Sequence, residues 1–165
     1  MKKISIILAL IMGTFILQNC GGSEEPAKSN TPSPQPAAAV EAEPESEVPA
    51  SERITLDNKG VGPISNLELA ETIDDEMVSR GEALFSTNCS ACHKVDKRFI
   101  GPSPKGIMQR RSPEWIMNMI LDPQKMVEED RCAKDLLVEF NGAAMANQNM
   151  TEEQARDILE FFRTL

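Results

Sequence analysis

Tyrosine is absent from this 165-residue chain, tryptophan occurs once, and aromatic residues make up only 4% of it. So thin an aromatic inventory, with 11 unevenly placed prolines, excludes one packed core running the full length. Histidine occurs once, as His93, which excludes sites built from several imidazoles, among them most catalytic zinc centres and any bis-histidine haem. Basic residues are also short: 17 Lys plus Arg stand against 26 Asp plus Glu, a net charge of −9. A chain that acidic is no electrostatic nucleic-acid binder, because phosphate neutralisation needs a basic surface.

The N-terminus carries an address. Lys2 and Lys3 precede an apolar run from Ile4 to Leu17, and Cys20-Gly21-Gly22 follow. About fourteen apolar residues are short for a spanning helix and suit an export signal. The cysteine directly after the run resembles a lipoprotein signal. That resemblance implies a signal peptide over residues 1–19, with Cys20 lipidated as the mature N-terminus and holding the protein to a membrane. An uncleaved anchor and an ordinary secretory signal are the alternatives, and all three place the rest of the chain outside the cytoplasmic membrane, facing the periplasm or the cell surface. Ser23-Glu24-Glu25 resembles the acidic export signals of surface lipoproteins in Bacteroidetes.

Residues 21–50 hold six prolines, six glutamates, one lysine and no aromatic. Such a segment cannot bury enough apolar surface to offset its chain entropy, so residues 20–50 are expected to be a disordered tether with an end-to-end distance of about 30 Å. Residues 51–73 contain scattered apolar anchors such as Ile54, Leu56 and Ile64, with turns marked by Gly60, Gly62 and Pro63, and read as an extended arm lying on the domain. From residue 74 the pattern is helical. Asp74, Asp75 and Glu76 open one helix, which runs to about Thr87. Ser112-Pro113-Glu114 caps a second, which Asp122-Pro123 closes. Ala133, Leu136, Leu137 and Phe140 mark a third that ends at Asn141-Gly142, and Thr151-Glu152-Glu153-Gln154 is a capping box for a fourth. No stretch of residues 74–165 alternates with period two, so the domain is expected to be an all-α bundle of about four helices.

Its chemistry is concentrated at Cys89-Ser90-Ala91-Cys92-His93. A C-x-x-C-H run is the attachment signature of a c-type haem: the thiols add across the two vinyl groups and the adjacent imidazole reaches the iron. A thioredoxin-like dithiol is the first rival, but it belongs on a βαβ framework that the pattern lacks. Half of a zinc site is the second, and it would need further ligands from a chain with one histidine and few cysteines. One covalent haem c is the expected cofactor, and it would serve as the centre of an otherwise small core.

Residues 74–165 resemble a class I c-type cytochrome, through Gly81, Phe85 and the C-x-x-C-H run. The resemblance implies that Gly81 lets the last helix cross the first closely and that Phe85 meets an aromatic there, for which Phe161 is the match. It implies that Pro102, in Ile100-Gly101-Pro102, accepts the hydrogen bond of the other His93 ring nitrogen through its carbonyl. It also implies methionine as the second axial ligand. Met108, Met117, Met119, Met126, Met145 and Met150 follow His93 in the chain, and Met117 and Met119 cannot both face one site from a single helix. Met145, in a loop ahead of the Thr151 cap, stands where the family's ligand stands. Met150 is the next alternative and is otherwise a packing residue.

Lys94, Lys97, Arg98, Lys105, Arg110 and Arg111 face Asp96 alone in a segment of local charge +5. It reads either as a solvated face or as a basic rim that steers an acidic partner, and Arg110, Arg111 and Trp115 are candidates for holding the haem propionates. Cys132 is left over and reads as an inert buried thiol. The expected function is one-electron transfer between redox protein partners rather than catalysis, because an iron with both axial positions filled has no place for a substrate. A haem enzyme or gas sensor with an open distal site is the alternative. Residues 57–165 are also similar to small cytochromes that accompany nitrous oxide reductase in some Bacteroidetes, which implies that reductase, or a terminal oxidase, as electron acceptor.

Overall fold

The computed structural model describes residues 48–165. The signal peptide, Cys20 and nearly all of the tether read from the sequence lie outside the described residues. Among the described residues there are five α-helices, a short 3-10 turn at Ile107–Gln109 and no strand beyond two isolated bridges. No helix among them is long and apolar enough to cross a membrane.

Each helix starts on the residue type that its unpaired N–H groups require. α1 (Asp75–Asn88) is capped by Asp74, whose carboxylate accepts the Glu76 and Met77 amides at 3.0 Å. The next three helices run α2 (Pro113–Leu121), α3 (Pro123–Glu129) and α4 (Arg131–Glu139) with single residues between them. Asp122 ends α2 and caps α3 through the Lys125 amide. Asp130 ends α3 and caps α4 through the Ala133 amide, at 2.8 Å. The helix beyond the expected four is therefore α3, and it comes from the Asp122-Pro123 pair, which reads as a stop because proline cannot continue a helix but serves equally well at a first helical position. α5 (Glu152–Phe162) opens on the reciprocal Thr151–Gln154 capping box.

α5 packs on α1 and α2. At its crossing with α1, an ideal Cβ on Gly81 would lie 2.0 Å from the Asp157 carbonyl oxygen, so only glycine allows the two backbones this close. Phe85 then meets Phe161 and Phe162 with ring centroids 5.6 and 5.7 Å away, and Arg80 forks onto Asp157 at 2.8 and 2.9 Å. Ile116, Met126, Ala133, Ile158 and Leu159 complete the buried core.

Residues 50–73 form no helix, and what fixes them is a series of buried polar side chains of the domain. Ser112 donates to the Asn58 carbonyl, and Asp130 accepts the Asn58 amide at 2.7 Å. The Asn118 side chain donates to the Lys59 and Ile64 carbonyls and accepts the Ile64 N–H, an arrangement that leaves no room for a Cβ on Gly62. Even the Met126 sulfur accepts the Val61 N–H, at 3.1 Å. Further along, Glu160, 1% exposed, receives Arg156 and Arg163 and the Asp74 N–H, while Arg163 also holds the Ala70 carbonyl.

Candidate functional site

The backbone turn that follows α1 brings the motif together. Cys89 and Ser90 both donate to the Phe85 carbonyl, and Cys92 and His93 donate to the Cys89 carbonyl at 3.0 and 2.9 Å. This tight turn places Cys89, Cys92 and His93 on one wall of an apolar cavity that holds about 1400 Å³ free of protein atoms, its open mouth included. Phe85, Ile116, Ile120, Leu136 and Phe140 supply much of the lining. Neither cysteine is in a disulfide. Burial, and to a lesser degree the neighbouring Cys92, pushes the Cys89 thiol above its ordinary value.

His93 is half-buried, and its Nδ1 lies 2.8 Å from the Pro102 carbonyl oxygen. A carbonyl only accepts, so Nδ1 carries the proton and Nε2 presents its lone pair. The ring is held from the side as well. A Cβ on Gly101 would fall 2.5 to 3.0 Å from three ring atoms, so the imidazole occupies space that only glycine leaves open. Gly101 is itself fixed by its N–H to the Cys92 carbonyl at 2.9 Å.

The loop from 141 to 150 supplies another part of the lining. Asn141, Gly142 and Asn149 take left-handed backbone conformations, and all residues from 141 to 149 are exposed except Met145. Met145 turns inward and lines the cavity. Met150 packs against the core and is no part of the cavity wall. Of the other methionines Met119 also lines the cavity, whereas Met117 is buried elsewhere and Met126 has given its sulfur to Val61. The spacing argument that only one of Met117 and Met119 can face the site thus selects Met119, which the sequence alone did not single out. Two thiols three residues apart, a neighbouring imidazole with one tautomer enforced, inward thioethers and an apolar cavity form a donor set that fits a covalently held haem.

The basic segment is less uniform than its sequence suggests. Arg98 donates to the Glu139 carboxylate at 2.6 Å and to the Glu139 carbonyl, and stacks 3.9 Å over the Phe140 ring. Burial raises the Glu139 carboxyl, but hydrogen bonds from the Ser51 hydroxyl and amide and from Arg98 outweigh it and hold the group below the usual carboxylate range. Arg111 is buried, so it belongs to no surface rim. Lys97 and Lys105 remain exposed, Lys94 is half-buried, and Phe99 and Ile100 stand exposed in the same segment. Trp115 is no propionate donor, because its indole N–H is given to Asp130 at 3.0 Å. Cys132 is buried beside Thr55, and burial pushes its thiol above the ordinary value.

Residues 78–165 match the cytochrome c family. A cytochrome c-553-like protein of Synechocystis sp. is 41% identical over 46 residues, which make up 27% of this chain and 44% of that protein, so less than half of that relative's length is spanned. Among solved structures, a cytochrome c from Rhodothermus marinus is 39% identical, covering 70% of this chain and 92% of that one with a TM-score of 0.61. An engineered form of the Rhodothermus marinus protein aligns at the same identity and TM-score, over 93% of its length.

Proposed function

The chain belongs to the cytochrome c family, and from that premise we propose that it is a monohaem one-electron carrier, tethered to a membrane through lipidated Cys20, between a respiratory donor and a terminal reductase or oxidase. Family membership carries with it covalently bound haem c, and the single C-x-x-C-H run accounts for one. Bound in the cavity, haem c supplies an iron that gains and loses one electron.

The chain's own residues do the rest. Cys89 and Cys92 would hold the group covalently through their sulfurs, on the turn after α1. His93 would ligate the iron through Nε2, with ring orientation and basicity set by its Nδ1–H bond to Pro102. Met145, which lines the same cavity, would supply a thioether sulfur to the iron. The apolar wall excludes water and lowers the reorganisation that each electron transfer demands. With His93 and Met145 both given to the iron, the site would have no place for a substrate, which is why we read the protein as a carrier and not an enzyme. Lys94, over the Phe99 ring, and exposed Lys97 and Lys105 in the same segment as exposed Phe99 and Ile100 suit brief docking of an acidic redox partner.

The observation that carries this reading is the 2.8 Å contact of His93 with Pro102, in a cavity that the inward-turned Met145 also lines. Met145→Ala tests it. The haem stays attached, the far-red sulfur-to-iron band disappears, the midpoint potential falls and the reduced protein binds carbon monoxide rapidly. The same changes in Met119→Ala or Met150→Ala, with Met145→Ala unaffected, show the ligand to be misassigned. Rapid stoichiometric carbon monoxide binding by the unaltered protein defeats the carrier reading.

A further inference from the structure

The loop between α4 and α5 carries Met145, and the residues beside it do little to hold it. Ala143, Ala144 and Ala146 have side chains that can hydrogen-bond nothing. At the start of the loop the Gly142 and Ala143 N–H groups donate to the Leu137 and Phe140 carbonyls at 2.8 and 3.1 Å, and at its end the Thr151 capping box belongs to α5. Between those ends, among the described residues, one hydrogen bond runs from residues 144–150 to another element: the Asn147 Nδ2 donates to the Leu121 carbonyl at 3.3 Å.

Leu121 is the last residue of α2, where a carbonyl has no partner within its own helix. The Lys125 N–H, four residues on, goes to the Asp122 carboxylate instead, at 3.1 Å. Asn147 therefore supplies a donor that the end of α2 lacks, on a helix whose Trp115, Ile116, Met119 and Ile120 line the cavity. The other end of its amide is used as well. Its Oδ1 accepts the Asn149 N–H at 2.7 Å, which closes a local turn around Asn149 in its left-handed conformation, φ 53°. Ala146 and Gln148 on either side line the cavity, whereas Asn147 is no part of the wall and grips α2 instead, two residues from Met145.

Resting on the reading of Met145 as a ligand of the iron, we infer that Asn147 is the positioning residue for its sulfur: by tying the loop to the end of α2, it sets how readily Met145 leaves the cavity. A swing of the loop that carries Met145 outward breaks the Asn147–Leu121 bond, so the bond is a direct part of the free energy of opening. One net hydrogen bond changes such an equilibrium about 2- to 12-fold. The exposed amide thus governs access to the distal side without touching it.

The test is imidazole binding to the purified, oxidised full-length holoprotein at fixed pH, followed by loss of the far-red sulfur-to-iron band, because free imidazole replaces the thioether only when the loop has opened. Asn147→Ala raises the apparent imidazole affinity about 2- to 12-fold over that of the unaltered protein. Asn147→Asp keeps the acceptor for the Asn149 N–H and removes the donor to Leu121, so it gives an increase at least as large. Native imidazole affinity in both variants, whatever their melting temperatures, overturns the inference and leaves Asn147 as a strut of the loop. An increase in Asn147→Ala with none in Asn147→Asp assigns the hold to the turn at Asn149 and overturns the tie to α2. The ligand reading is judged separately: a far-red band that survives Met145→Ala refutes that reading, whatever the Asn147 variants do.

Discussion

Replacing Gly81 by alanine puts a methyl carbon 2.0 Å from the Asp157 carbonyl oxygen, 2.6 Å from its carbonyl carbon and 3.0 Å from the Ile158 nitrogen. Ordinary contact begins near 3.4 Å, so the worst approach is about 1.4 Å too short, and every obstructing atom is backbone. No rotamer change relieves it; α1 and α5 must separate. Overpacking typically costs about 1–3 kcal/mol, and a clash with rigid backbone belongs at the upper end. Alanine's better helix propensity returns about 1 kcal/mol. The expected net loss is about 2 kcal/mol, which changes the folded-to-unfolded ratio roughly 30-fold. Separation also strains the Phe85, Phe161 and Phe162 contacts and the Arg80–Asp157 fork, so the loss should not be recovered by local adjustment. Guanidinium denaturation of the holoprotein, followed by far-ultraviolet circular dichroism, measures it. A Gly81→Ala protein as stable as the native one, or stabilised by the propensity gain, refutes the close crossing.

Other expectations follow from the charges and from the proposed lipid attachment at Cys20. Glu114, Glu139 and Glu160 are each raised by burial but lowered further by their hydrogen-bond donors, so all three ionise below the unfolded value of 4.5. The unfolded chain then binds more protons in acid, and stability should be full above about pH 4.5 and drop as pH falls through the folded pKa values. A melting temperature that stays level or rises from pH 5 to pH 3 contradicts this. Reversing Lys97 and Lys105 to Glu should slow electron transfer with an acidic partner most at low ionic strength, since about 10 Å of screening at 0.1 M salt already blunts the attraction. An unchanged rate removes these lysines from docking. Cys20→Ser should move the exported protein from the membrane to the soluble fraction, and continued membrane retention of the cleaved variant counts against lipidation.

What could be read in advance was local. Asp74, Ser112 and the Thr151–Gln154 box announce helix starts because a cap needs only a few neighbouring residues, and the structure places them at those starts. Gly81 was legible for a different reason: it rests on resemblance, and the crossing that explains it becomes visible only when α5 is in place. Charge was read worst. Arg98 and Arg111 sit in a basic run, yet one is paired with Glu139, 41 residues on, and the other is buried under Ala50, 61 residues back. Trp115 likewise looked free because Asp130, which takes its indole N–H, sits on the far side of a helix that the Asp122-Pro123 stop concealed. Partners that distant leave no periodicity.

The arm makes a separate point about where this protein begins as a physical object. The match to the family starts at residue 78, but among the described residues the contacts that satisfy the interior start near residue 50. Ser51 reaches 88 residues along the chain to Glu139, Asn58 reaches 72 to Asp130, and Leu67 reaches 47 to Glu114. A fragment cut at the family boundary would take from Asn118, Ser112 and Glu114 their partners on Lys59, Ile64, Asn58 and Leu67 and open that face to water. Contacts of such long sequence separation also close late, after the helices that receive them exist. Among the described residues, hydrogen-bond closure therefore carries the domain more than twenty residues upstream of the boundary set by kinship.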